Sequence, residues 1–134
     1  MTSATGERQE LRNEQEVVRF RQSVRKWAAE LGFSLVDQTK LVTAASEIAR
    51  NAVIYGGGGY GEIRRVQQGS RHGLCLIFED QGPGIENTEL AMRDGYTTGN
   101  GLGLGLSGAK RLVNDFTLES KPKQGTRVTL TRWK

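Results

Sequence analysis

Asp80-Gln81-Gly82-Pro83-Gly84 opens a stretch that runs to Gly108, DQGPGIENTELAMRDGYTTGNGLGLGLSG, and its reading decides the fold. Upstream lies Leu74-Cys75-Leu76-Ile77-Phe78, the most strand-like run in the chain. Downstream, Ala109-Lys110-Arg111-Leu112-Val113 continues a helix. The chain thus leaves a buried strand, crosses two glycine clusters and enters a helix. An aspartate at a strand end is by itself an ordinary turn former. Here Gly82 and Gly84 flank a proline, which lets backbone pass close under a flat ligand while Asp80 stays fixed. A carboxylate only accepts hydrogen bonds, so it suits an amino group such as that of adenine. The second cluster, Gly99 to Gly108, puts glycine-rich backbone ahead of helix-start N–H groups, which meet phosphate well. The stretch is expected to hold a nucleotide.

Working outward, residues 1–6 are small and polar and are expected to fray. Glu7 to Arg12 reads as a short edge strand. Asn13, with Glu16 three residues on, reads as a capping box. The helix it starts runs to Leu31, with Val17, Phe20, Val24, Trp27, Ala28 and Leu31 on one stripe, and Gly32 is a natural stop. Ser34 and Asp37 repeat the capping pattern for a second helix, Leu35 to Tyr55, which a tetraglycine ends. Tyr60 to Val66 and Leu74 to Glu79 read as antiparallel strands joined by a turn over 67–73. Residues 86–92 read as a short helix and Leu102 to Val113 as a long one. Phe116 to Lys121 and Thr126 to Trp133 form a closing hairpin through Pro122-Lys123-Gln124-Gly125. Grouped strands and grouped helices predict one domain over 1–134. It is a two-layer α/β sandwich with a mixed, mainly antiparallel sheet and helices on one face.

Composition narrows the function. At 134 residues the chain buries about two-thirds of its unfolded surface and needs no disulfide or metal to fold. Cys75 is the only cysteine and reads as a small buried hydrophobe. No apolar run approaches a membrane span and the start lacks a leader's apolar core, so a cytoplasmic protein with no membrane partner is expected. The net charge of +4 is spread in pairs such as Arg64/Arg65 and Lys110/Arg111, without a basic run, so no nucleic-acid partner is expected. Gly103-x-Gly105-x-x-Gly108 matches the dinucleotide fingerprint formally, but no strand precedes it directly and no βαβ unit surrounds it. P-loop and HRD/DFG motifs are absent.

Glu47 and Asn51 lie four apart, on one face of the second helix. In isolation such a pair is usually a solvated stripe. Here its neighbours Ala44, Ala45, Ile48, Ala49 and Ala52 indicate close packing, and the helix ends in glycines.

Together these features resemble the GHKL ATP-binding family, which has the Bergerat fold. Glu47-Ile48-Ala49-Arg50-Asn51 is similar to its N-box and Asp80-Gln81-Gly82-Pro83-Gly84 to its first glycine box. Gly101-Leu102-Gly103-Leu104-Gly105-Leu106 is similar to the second glycine box, and Gly125-Thr126 to the late Gly-Thr element. The resemblance spans about residues 34 to 131. The chain lacks the phospho-accepting helical hairpin of sensor kinases, and its single histidine, His72, sits in a turn. What remains is the branch of small stand-alone serine/threonine kinases of bacterial partner-switching modules, with the stressosome switch kinases as the nearer sub-branch and the anti-sigma factor kinases as the alternative.

The resemblance implies ATP and Mg²⁺ as cofactors. It implies Glu47 as general base and Asn51 as the Mg²⁺ ligand, with Asp80, Gly82, Gly84, Ile85 and Thr126 around adenine. Thr98, Gly99, Gly101, Leu102, Gly103, Leu104 and Gly105 are implied around the phosphates. Residues 93–100 would form a lid. Some branches place a cation just after the N-box asparagine, where this chain has Ala52-Val53-Ile54-Tyr55. Lys110 or Arg111, one turn into the third helix, are the expected substitutes. The implied partners are a STAS-domain acceptor and a PP2C-type phosphatase, or a sigma factor in the alternative.

Overall fold

A computed structural model describes residues 6–82, 102–120 and 123–134, with backbone only for 102–104. The expected helix over 86–92, the lid over 93–100 and residues 1–5 lie outside the described residues. Gly6, expected to fray, instead opens strand β1 (Gly6–Leu11) and pairs with Arg64.

Helix α1 (Glu14–Leu31) starts at Asn13, whose Oδ1 accepts the Glu16 amide at 2.9 Å. The expected capping box is only half formed. Glu16 Oε1 accepts from the Arg12 amide at 2.7 Å and the Arg12 guanidinium closes on the same carboxylate at 2.9 Å. These bonds to Arg12 hold the Glu16 carboxyl below its ordinary range. Gly32 ends the helix at φ 93°, a left-handed conformation that glycine alone adopts without strain. Helix α2 (Leu35–Ile54) starts at Ser34, whose Oγ accepts the Asp37 amide at 3.1 Å. The Asp37 carboxylate also takes the Arg132 guanidinium, at 2.6 Å.

Strands β2 (Gly59–Gln68) and β3 (Arg71–Asp80) pair out to Gln68 and Arg71. Their loop is therefore Gly69-Ser70 rather than the turn expected over 67–73. Apolar alternation stops near Val66, but backbone pairing needs no apolar side chain and continues to the tight turn. Helix α3 (Leu102–Arg111) leads to the hairpin of β4 (Asp115–Ser120) and β5 (Thr126–Trp133). The sheet order is β1-β2-β3-β5-β4. A mixed sheet was expected, and the described pairings are all antiparallel.

Strand alternation puts Ile63, Leu74, Leu76, Phe78, Val128 and Leu130 on one face, where they form a single core with the apolar stripes of the helices. Phe20 meets Phe78 edge to face at 5.4 Å, a pairing worth about 0.5–1.5 kcal/mol beyond its buried area. Gly61 makes room for it, since a Cβ there would stand 2.7 Å from the Phe20 ring. The edge strand β1 is fastened differently. Its inward Glu7 accepts from Trp27 Nε1 at 2.9 Å, and Gln9 reaches Ser23 Oγ at 2.6 Å. Among the described residues no helix covers the other sheet face, where Arg8 stacks over Tyr60 at 3.8 Å and Tyr60 donates to Glu79. No described helix is long and apolar enough to cross a membrane.

Candidate functional site

Pairing register brings Leu11, Gly59, Asp80, Thr126 and Ser120 into one row across the end of the sheet. Asp80, the last residue of β3, is the acid of that row. Its Oδ1 accepts the Gly82 amide at 2.9 Å, and the Thr126 amide also donates to the carboxylate. Burial pushes the Asp80 carboxyl above its ordinary value, and these two amides act against that shift. Glycines crowd it from two sides. A Cβ on Gly56 would lie 2.3 Å from Asp80 Cγ, and one on Gly125 would lie 2.2 Å from the Asp80 carbonyl oxygen. A Cβ on Gly82 would lie 2.5 Å from Gly56 Cα. No other residue fits these positions without displacing Asp80 or the Gly56 backbone packed on it. The cleft beside it is lined by Asp80, Leu118, Ser120, Gly125 and Thr126. Ser120 Oγ and Thr126 Oγ1 are 2.9 Å apart on its wall.

The second half of the site is on α2. Glu47 and Asn51 both face Gly105 of α3. A Cβ there would stand 3.0 Å from Asn51 Nδ2 and 3.4 Å from Glu47 Oε2. Asn51 Nδ2 is buried with no hydrogen-bond partner among the described residues, which an interior amide seldom tolerates unless a ligand completes it. The side chain of Glu47 is 43% exposed, so a hydroxyl arriving from solvent would reach it. The Asn51 carbonyl accepts the amides of Tyr55 at 2.9 Å and Gly56 at 3.2 Å. The last turn of α2 therefore runs directly into the glycine that crowds Asp80, and the two halves are one construction.

The remaining expected residues are distributed unevenly. Gly84, Ile85, Thr98, Gly99 and Gly101 lie outside the described residues. Leu102, Gly103 and Leu104 form the first turn of α3, which carries the unsatisfied N–H groups of a helix start. Lys110 is not one turn into this helix but in its last turn, exposed, with Arg111 beside it. Eight residues from the start, it stands about 12 Å along the axis. Its charge there complements the negative end of the helix dipole. Sequence reading missed Gly56 and Ser120, which carry no motif of their own and are found only through strand register and loop packing. It also missed Arg50, whose guanidinium lies 3.8 Å from Glu47 and 3.6 Å from Glu14.

These residues fit a nucleotide. A fixed, half-buried acceptor sits in a cradle too tight for any Cβ, and an unpartnered buried amide stands beside a glycine helix start. Among the described residues no cluster of three His, Cys, Asp or Glu could hold a metal alone. One amide oxygen at Asn51 suits Mg²⁺, which keeps phosphate and water ligands.

An antiparallel sheet backed by helices, with an acid at a strand end and a Glu/Asn pair facing a glycine helix start, defines a class of nucleotide-binding ATPase domain. The chain belongs to the histidine kinase-, DNA gyrase B-, and HSP90-like ATPase family, whose model matches residues 36–134. It is 45% identical to the serine/threonine-protein kinase RsbT of Bacillus subtilis over 90% of each chain. It is 31% identical to the anti-sigma F factor of Clostridium kluyveri, over 84% of this chain and 82% of that one. Among solved structures, the RsbU and RsbW domains of Rv1364c from Mycobacterium tuberculosis match 96% of this chain and 32% of that one. The TM-score is 0.64 and the identity 23%, a likeness of fold.

Proposed function

We propose that the chain is an Mg-ATP-dependent serine/threonine protein kinase of a bacterial partner-switching module. It phosphorylates a STAS-domain protein in the cytoplasm and, once released, binds and activates a PP2C-type phosphatase. The observation that carries this reading is the Glu47/Asn51 pair set against Gly105, with Asn51 Nδ2 buried and without a partner among the described residues. The 45% identity to a serine/threonine-protein kinase supports the choice of reaction.

Mg-ATP, when bound, supplies the transferable phosphoryl group with part of its charge neutralised. The chain's own residues position and move protons. Asp80 would accept from the adenine amino group, helped by the amides of Gly82 and Thr126, which hold the carboxylate still. The first-turn amides of Leu102, Gly103 and Leu104 would take phosphate oxygens, as would Thr98, Gly99 and Gly101 before them. Ile85 and Gly84 would border the base. Asn51 would hold Mg²⁺ through its side-chain oxygen. Glu47 takes the proton of the incoming hydroxyl at Oε2, the oxygen turned toward α3.

The test uses γ-labelled Mg-ATP with a recombinant STAS-domain protein as acceptor. Wild type should label it on serine or threonine. Glu47→Ala should lose on the order of 10²–10⁴ in transfer rate, the usual scale for a general base, while binding Mg-ATP as before. Label released only as free phosphate would make the chain a plain ATPase instead. The identity to an anti-sigma F factor favours a second reading, occupancy of a sigma factor. A pull-down with sigma factor in Mg-ATP decides between that partner and the phosphatase.

A further inference from the structure

We propose that Arg50 is a positioning residue for Glu47, and that Glu14 of α1 holds Arg50 in that role. The proposal rests on the reading of Glu47 as the base. Arg50 is three residues beyond Glu47 on α2, and its Nη1 lies 3.8 Å from Glu47 Oε1. Its Nη2 lies 3.6 Å from Glu14 Oε1, in the first turn of the neighbouring helix. One guanidinium thus spans two carboxylates from two helices.

The two oxygens of Glu47 are thereby divided. Oε1 faces the cation, and Oε2 is the oxygen nearest the place a Gly105 side chain would fill. That place borders the start of α3, where phosphate is taken. Rotation of the carboxyl would exchange the two oxygens. Arg50 biases the rotation by attracting Oε1, and leaves Oε2 for the proton. The distances are those of ion pairs rather than of tight hydrogen bonds, so the contact orients the carboxylate without locking it. A planar guanidinium engages two carboxylates at once, whereas an ammonium is a single point charge. Glu14 in turn is favoured where it stands, at the positive end of the α1 dipole. The first turn of α1 therefore reaches the base through Arg50.

The experiment measures steady-state transfer from γ-labelled Mg-ATP to a recombinant STAS-domain protein, and nucleotide affinity by calorimetry. Arg50→Gln should lower kcat about 10-fold, and by no more than the 10²-fold that ångström-scale misplacement costs, with ATP affinity and KM for ATP held. Arg50→Lys should recover part of the rate. Glu14→Gln should lower kcat by less, and the double variant should be no slower than Arg50→Gln, because Glu14 acts through Arg50. An unchanged kcat in Arg50→Gln overturns the proposal. So does a raised KM for ATP at constant kcat, which would make Arg50 a phosphate ligand. If wild type transfers no phosphate, or Glu47→Ala is fully active, the reading of the base fails first, and the two failures are distinguishable.

Discussion

Asp80 is held in an environment that disfavours its own charge. Burial raises its pKa above the ordinary value of 3.8, and the amides of Gly82 and Thr126 only partly oppose the shift. Between the unfolded and folded values the native state binds more protons than the unfolded chain. Stability therefore falls as pH rises through that window, and the charged aspartate is a standing burden above it. Asp80→Asn keeps the Oδ1 acceptor and removes the charge. The variant is expected to melt at a higher temperature without ligand and to lose the further rise that Mg-ATP gives wild type. Calorimetry showing unchanged ATP affinity would sink the adenine assignment. At this scale the sequence disclosed residues whose chemistry is odd for their place, such as an acid after an apolar strand or an Asn on an alanine-rich helix. It hid residues whose chemistry is ordinary. Arg50 reads as a solvated helix charge because Glu14 comes near it only when α1 packs on α2. Ser120 reads as one more strand residue until register sets it beside Thr126.

Between elements, the contact of α2 with α3 carries the site, and it is made at a glycine. Gly105→Ala should favour the helix itself by about 0.5–1 kcal/mol. Yet the new methyl would press on Asn51 Nδ2 at 3.0 Å and on Glu47 Oε2 at 3.4 Å. The variant is expected to unfold no more easily in urea than wild type while losing phosphoryl transfer; full activity would mean that the pair has room to spare. A second contact ties the opposite end of α2. Arg132 of β5 donates to the Leu112 carbonyl at 2.8 Å and to Asp37 at 2.6 Å. Its hydrogen bond holds the Asp37 carboxyl below the ordinary range. With a lowered folded pKa, the contribution of Asp37 is complete above the unfolded value and is lost as pH falls through the folded one. Arg132→Met should lower the melting temperature at pH 7 and narrow the gap between variant and wild type in acid; a gap equal at both pH values would mean that packing, not charge, is lost. Helix limits were legible because Asn13, Ser34 and Gly32 do local work. The β2–β3 turn was not, because its flanking residues alternate nothing apolar.

Across the whole molecule, the order of the described elements and the helix-covered sheet face followed from periodicity, since each stripe has one core to face. The angle at which α3 meets α2 did not, because it depends on volumes brought together from residues far apart in sequence. One further property belongs to the molecule as a whole. An open sheet has two borders whose backbone groups lack partners, and such borders recruit other chains. Here β1 displays Arg8 and Glu10 and turns Glu7 and Gln9 inward to α1, while β4 carries Asp115 and Glu119. Charge along both borders makes them poor templates for a foreign strand. Removal of residues 1–11 would strip that protection from β2 and take Leu11 out of the core. Light scattering should then show concentration-dependent self-association, and a monodisperse, cooperatively folding fragment would assign β1 another purpose. The N-terminal strand, which supplies none of the side chains assigned to the chemistry, is on this account what keeps the protein dispersed at working concentration.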